Sequence, residues 1–359
     1  MPVTVVVGGQ YGSEGKGKIC AHLALTGEAD FMVRCGGPNS GHTVDKDGIV
    51  YELMQVPAGF VNPDVRLLIA AGAIVNPDTL LHEIELCGLD ESRIGIDRNT
   101  VIIEEADIQT ESTGELRARL GTTAQGVGAA VARRVARVPG VRLAKDVPEL
   151  RRYVTSVSEE LQTANQSNRQ IVIEGTQGFG LSLYHTEEWP YCTSRDTTAH
   201  SFLSEVGLGV RDYSVVMCLR TFPIRVAGNS GPLPEEITWE ELQAKSRYPH
   251  SIKELTTTTK RLRRVALFNR EVVRRAVAAN CPSAVSLHGV DYLDFANRGL
   301  DSFDGLTTST REWVSELEAE IGVPVDFVGT GPSISELIDR RHRLLGRGNF
   351  PASKVSALA

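Results

Sequence analysis

Residues 3–18 read VTVVVGGQYGSEGKGK, a valine-rich run followed by glycines at 8, 9, 12, 15 and 17 and lysines at 16 and 18. A short β-branched run bounded by glycine predicts a buried strand, and the glycines after it predict a tight turn into a helix. Successive glycines let backbone amides turn toward an anion, and the helix start adds the positive end of its dipole. Gly12 to Gly17 and Lys18 fit the spacing G-x-x-x-x-G-K, but Ile19 follows where an ordinary phosphate loop carries a magnesium-binding hydroxyl. The stretch predicts phosphate binding and leaves the reaction open.

Working outward, the segments VTVVVGG, FMVRCGG, VRLLIAAGAIV, RQIVIEGTQG, DYSVVMCLR, PSAVSLHGVDYL and PVDFVGTG are short apolar runs, most without alternation. That pattern belongs to strands covered on both faces, so the expected fold is α/β: one large domain over 1–359, with a mostly parallel central sheet flanked by helices. In such sheets ligands bind at the carboxyl ends of the strands, where these glycine-rich loops converge. Helices are expected in NPDTLLHEIELCG, capped by Asn76 with Pro77 in its first turn and closed by Gly88, and in TTSTREWVSELEAEIG, closed by Gly322. Residues 165–170 read as a polar surface connection. The segment RCGGPNSGHTV puts His42 at a turn on the same sheet edge as the first loop, where an imidazole can protonate a substrate oxygen.

Composition narrows the class. Of 359 residues 41% are hydrophobic and 23% charged, and no apolar run approaches the roughly 20 residues that cross a membrane. The six cysteines, at 20, 35, 87, 192, 218 and 281, form no C-x-x-C pair, which reads as buried thiols in a reducing compartment. A net charge of -7 argues against direct nucleic-acid binding through the surface. With no basic start followed by a cleavage site, the expected location is cytoplasmic, the host cytoplasm if the chain is viral.

Several separated segments together resemble the adenylosuccinate synthetase family. The first loop is similar to its G-Q-W-G-D-E-G-K-G-K signature, and residues 39–43 to its N-A-G-H-T turn. LGTTAQGVGAAVARRVAR resembles its G-T-T-G-R-G-I-G-P segment, and EGTQGFGLSLYHTEEWPYCTSRDTT its E-G-A-Q-G and P-Y-V-T-S-x-N-T-T segments. TTTTKRLRR is similar to its S-T-T-G-R-P-R-R loop, and GTGP to its terminal nucleotide loop.

The resemblance implies that a purine 6-oxo group is phosphorylated by a nucleoside triphosphate and that the amine of L-aspartate then displaces phosphate. It implies Lys16 at the phosphates, His42 as the acid at the 6-oxygen, and magnesium held by position 13 and the Gly41 carbonyl. The triphosphate set is Gly12, Glu14, Gly15, Lys16, Gly17, Lys18, Gly41, His42, Thr43, Asp291, Gly329 and Gly331. The purine monophosphate set is Ser13, Asn39, Thr122, Thr123, Gln177 and Thr193, completed by Arg137 from the second subunit of a homodimer. Thr258, Thr259, Arg261 and Arg263 are the aspartate set, where planar guanidinium groups match two carboxylates.

Two departures bear on the substrate. Ser13 stands where the family loop has an aspartate that serves as base toward ring nitrogen 1 and as magnesium ligand, and a hydroxyl is a poor base at neutral pH. A shorter side chain leaves space for a 2-amino group, as in the family's viral 2-aminoadenylosuccinate synthetase branch. The family's K-L-D segment corresponds to LHGVDYLD with Asp291 but without the lysine. The expectation is therefore a magnesium-dependent ligase joining aspartate to dGMP with ATP as donor, dATP or GTP being the alternatives, and Ser13 in a catalytic position. The alternatives are the ordinary enzyme acting on IMP with GTP, and, from another class, a P-loop ATPase switch or noncatalytic nucleotide binder.

Overall fold

The computed structural model describes residues 2–46, 48–113, 119–256 and 260–341. Its centre is a ten-stranded sheet. From one edge the strands are Leu337–Asp339, Val325–Gly329, Ala284–His288, Ser214–Arg220, Val3–Gly8, Ile171–Glu174, Phe31–Arg34, Arg66–Ile69, Ile94–Asp97 and Val154–Thr155. Each neighbouring pair is parallel except the edge pair Val325–Gly329 and Leu337–Asp339. All seven expected strands lie in this sheet. The three unforeseen ones, Ile94–Asp97, Val154–Thr155 and Leu337–Asp339, are edge or near-edge pieces of two to four residues, too short to carry a period.

The valine run occupies the middle of the sheet, and its side chains alternate between two cores. Val3, Val5 and Val7 pack with Phe202, Met217 and Leu287 on one face. Val6 faces Ile19, Met32 and Val172 on the other. Burial on both faces explains why these strands lack polar alternation.

Both expected helices form. Pro77–Leu86 starts where the Asn76 side chain accepts from the Thr79 amide at 3.0 Å, and Thr308–Ile321 ends at Gly322 with φ 67°. The expected connection at 165–170 is shorter than its polarity suggested, because the helix Val157–Gln166 runs into it. A three-stranded antiparallel sheet of Ile224–Arg225, Arg264–Ala266 and Glu236–Ile237 sits apart from the main sheet. It carries the arginine-rich segment to the carboxyl ends of the central strands, beside the glycine loop.

Candidate active site

The glycine loop turns as its sequence requires. Gly12 and Gly15 have φ 94° and 88°, in the left-handed region that favours glycine, and Gly15 starts the helix Lys16–Leu25. A Cβ on Gly15 would stand 2.8 Å from the His288 ring, so the loop lies directly on that buried histidine. Ser13 is also left-handed, with φ 59°, and its carbonyl accepts from Arg220 Nη1 at 3.2 Å.

Glu14 organises the loop from within. Its buried carboxylate accepts from the Gln10 amide at 3.2 Å and the Gly12 amide at 2.7 Å, and pairs with Lys16 Nζ. Lys18 donates to the carbonyls of Gly331 and Glu336 at 2.8 and 2.7 Å, tying the first loop to the last one. Burial pushes its ammonium down to about 8.

A second charged group sits beneath the loop. Arg34 and Glu174 are the last residues of adjacent parallel strands and face each other in register. Their side chains form a buried ion pair. Glu174 also accepts from the Ala58 amide at 2.8 Å, and Arg34 donates to the Ser40 carbonyl at 2.6 Å, which fixes the turn leading to His42. His42 does not sit in a loose turn as expected: it is the first residue of the hairpin His42–Lys46 and Ile49–Leu53. Its Nδ1 lies 3.3 Å from Glu174 Oε1, and the Val56 backbone also contacts the ring. Burial, followed by the charges of Arg34 and Lys16, holds His42 well below the usual histidine range. The free chain therefore keeps a neutral imidazole there, waiting for negative charge.

Two cavities flank this machinery. The first, about 440 Å³, is lined by Gly12, Ser13, Asn39, Gly41, Thr122, Thr123, Gln177, Thr193 and Arg263 among others. The second, about 420 Å³, is lined by Ser13, Glu14, Gly15, Lys16, Gly17, Lys18, Gly41, His42, Thr43, Asp291, Gly331 and Arg263 among others. Ser13, Ser40, Gly41 and Arg263 belong to both, so the cavities meet there.

Some expected residues lie elsewhere. Gly12 faces the first cavity and not the second. Gly329 lines neither and backs onto His288. Arg261 is exposed and also lines neither; its amide donates to Thr256 Oγ1 at 3.0 Å. Arg137 is exposed, with φ 54°, just past the helix Val127–Val135. Thr258 and Thr259 fall outside the described residues.

Other residues were missed. Arg220, Glu254, Tyr292 and Arg298 line the second cavity, and Asp291 accepts from Tyr248 and from Arg298 at 3.4 Å. Burial pushes Asp291 up. Burial would raise Glu254 too, but Arg220 and then Arg263 hold it below the usual carboxylate range. In the first cavity, Glu111 accepts from the amides of Gly126 and Gly128 at 2.8 and 2.7 Å, so an anion already sits at that helix start. Strand-end charges were the available signal for Arg34, Glu174 and Arg220, since each closes an otherwise apolar run.

Among the described residues no group of three or more His, Cys, Asp or Glu side chains could hold a metal ion. At the cavity junction stand the Ser13 hydroxyl and the Gly41 carbonyl, neutral oxygens that suit magnesium carried in on phosphates. No helix of the described residues is long and apolar enough to cross a membrane.

The family model described as adenylosuccinate synthetase matches residues 5–149 and 142–298. Curated relatives 39–40% identical over 95–96% of this chain bear that name. One is from Pyrococcus horikoshii, 40% identical over 346 residues that make up 95% of this chain and 99% of the relative. Among solved structures, the fully ligated adenylosuccinate synthetase from Plasmodium falciparum superposes with a TM-score of 0.84 at 21% identity, covering 95% of this chain and all of that one. The cyanophage S-2L succinoaminodeoxyadenylate synthetase, bound to dGMP and dATP as an energy donor, gives 0.79 at 28% identity, covering 96% of this chain and 97% of that one.

These findings overturn the reading built on Ser13. Relatives named as the ordinary enzyme are about 40% identical along nearly the whole chain, whereas the cyanophage protein is the more distant match. The dGMP substrate falls with that reading, and these relatives lend no support to the diaminopurine assignment or a viral setting.

Proposed function

The chain belongs to the adenylosuccinate synthetase family, and from that membership we propose that it joins L-aspartate to carbon 6 of IMP with GTP as phosphoryl donor, releasing GDP and phosphate. The observation that carries this reading is the meeting of the two cavities at Ser13, Gly41 and Arg263. A purine monophosphate in the first cavity and a triphosphate in the second would bring the 6-oxygen and the γ-phosphate together at that junction. Lys16 and Lys18, with the amides of the helix start, receive the phosphates; Lys16 leaves Glu14 to do so. Asp291 favours GTP, because guanine offers a carboxylate the paired donors of N1–H and the 2-amino group and adenine does not.

Phosphorylation of the 6-oxygen removes the proton on nitrogen 1. The aspartate amine then attacks carbon 6, the carbon–oxygen bond breaks, phosphate leaves and the amine loses its proton. His42, charged once phosphate lies beside it, donates to the 6-oxygen as negative charge develops there. Magnesium bound to the triphosphate neutralises charge on the transferring group. Arg263, on the wall of both cavities, holds a carboxylate of aspartate.

Ser13 supplies no carboxylate for the proton on nitrogen 1. Restoring one in Ser13→Asp is expected to raise kcat with IMP about tenfold or more, part of the 10²–10⁴ that a positioned base contributes. The test incubates wild type and variant with IMP or dGMP, GTP or ATP, magnesium and aspartate, and identifies products by mass. Adenylosuccinate from IMP and GTP supports the reading. A wild type that succinylates only dGMP, or a variant slower than wild type on IMP, overturns it.

We also propose a two-fold homodimer in which Arg137 reaches the neighbouring monophosphate site. Arg137 is flanked by Val135 and Val138, which are 73% and 42% exposed, an apolar pair suited to burial against a second copy. Arg137→Ala is expected to raise the KM for IMP about tenfold or more and to leave that for GTP nearly unchanged, since one phosphate contact is lost. Light scattering that finds a fully active monomer would exclude the arrangement.

A further inference from the structure

Glu254 stands between two parts of the site that no single element connects. Its Oε1 accepts from Arg220 Nη2 and from the Tyr292 hydroxyl at 2.9 Å. Its Oε2 accepts from Arg220 Nη1 at 3.2 Å and from Arg263 Nη1 at 3.3 Å. One carboxylate therefore carries four donors, the full lone-pair capacity of the group. The Arg263 amide also donates to the Glu254 carbonyl at 2.8 Å, so both residues sit on opposed backbone of one narrow loop.

Arg220 extends the connection to the glycine loop. The Nη1 that meets Glu254 also donates to the Ser13 carbonyl at 3.2 Å. Its backbone is held there by Gln10, whose side chain accepts from the Arg220 amide at 2.9 Å and donates to the Arg220 carbonyl at 3.0 Å. Ser13 keeps a left-handed φ of 59°, a conformation a non-glycine residue holds only where its surroundings fix it. The chain of contacts runs from Arg263, on the wall of both cavities, through Glu254 and Arg220 to Ser13, where the cavities join.

We propose that Glu254 is a positioning residue that aims Arg263 at the amine-donor substrate's carboxylate and, through Arg220, couples that contact to the Ser13 junction where phosphoryl transfer takes place. This rests on the aspartate-ligase reading above. Without Glu254, Arg263 regains the rotamer freedom of a long side chain, and Arg220 swings off the loop carbonyl. The arginine that meets aspartate and the backbone that meets the nucleotide are then no longer fixed relative to one another.

Glu254→Gln preserves size and removes the charge, and is expected to raise the KM for aspartate by about tenfold to a hundredfold, the worth of hydrogen bonds to a charged group. The KM for GTP should rise less than that for aspartate, as Lys16 and Lys18 bond neither Glu254 nor Arg220. Arg220→Lys, which keeps the charge but loses the planar fork, is expected to raise the aspartate KM although the lysine contacts no aspartate. In an Arg263→Leu background, Glu254→Gln should add little further. A purely structural role predicts instead equal shifts in every KM and additive effects, which would overturn the proposal. So would an unchanged aspartate KM in both Glu254→Gln and Arg220→Lys when thermal melting shows the variants folded. A wild type that consumes no aspartate overturns the functional reading and this inference together; an active wild type with indifferent variants overturns this inference alone.

Discussion

Replacing His42 by asparagine is expected to lower kcat with IMP by about 10²–10⁴, the range a positioned general acid contributes, with small changes in the KM values. The argument starts from its neighbours. Burial, Arg34 and Lys16 hold the free imidazole below the usual histidine range, with only the Val56 backbone opposing. Phosphates bound in the second cavity, as proposed, would add negative charge beside the ring. That charge would raise the proton affinity of the ring, so on the proposed reading His42 acts as an acid only in the loaded enzyme. The acid form is lost as pH rises through its value in the complex, so the alkaline fall of kcat should disappear in the variant. Steady-state rates across pH decide the matter: turnover within about threefold of wild type would remove His42 from the chemistry.

Arg263→Leu is expected to raise the KM for aspartate by about 2–5 kcal/mol of lost binding, some thirtyfold to several thousandfold, with a much smaller effect on IMP and GTP. Arg263 lines both cavities, and burial lowers its affinity for its proton even though Glu254 opposes this. A guanidinium so placed meets a carboxylate in a desolvated setting, where the contact is strong. The substitution leaves no orphan behind, since Glu254 retains Arg220 and Tyr292. Arg261→Leu provides the contrast, because that side chain is exposed and lines neither cavity. Saturation curves for aspartate in the two variants separate them; equal shifts would mean that Arg263 has no privileged place.

The central strands and the glycine loop were legible because burial on both faces leaves a plain apolar run and because positive φ calls for glycine. The edge strands were not: two to four residues paired on one side carry too little pattern. Site residues at the ends of motifs were found, while those that hold them in place were not. Glu254 meets Arg263 across nine positions and Arg220 across 34, relations no local spacing encodes. His42 was placed near the phosphates, but its protonation in the free chain depends on Arg34, eight residues earlier, turning back beneath it. Ser13 alone does not set the substrate, because one side chain carries less weight than similarity along nearly the whole chain.

The valine strand at residues 3–8 has a temporal consequence. It is synthesised before every other strand of the sheet, yet its two neighbours are residues 171–174 and 214–220. At about 5–20 residues per second, the phosphate loop must wait on the order of 10–40 s of synthesis before both sides of its strand exist. Through that interval the most apolar stretch of the amino end has exposed edges and no partner. The order of the strands thus separates the synthesis of the central strand from the pairing of its edges, the circumstance in which unpaired apolar edges invite wrong contacts.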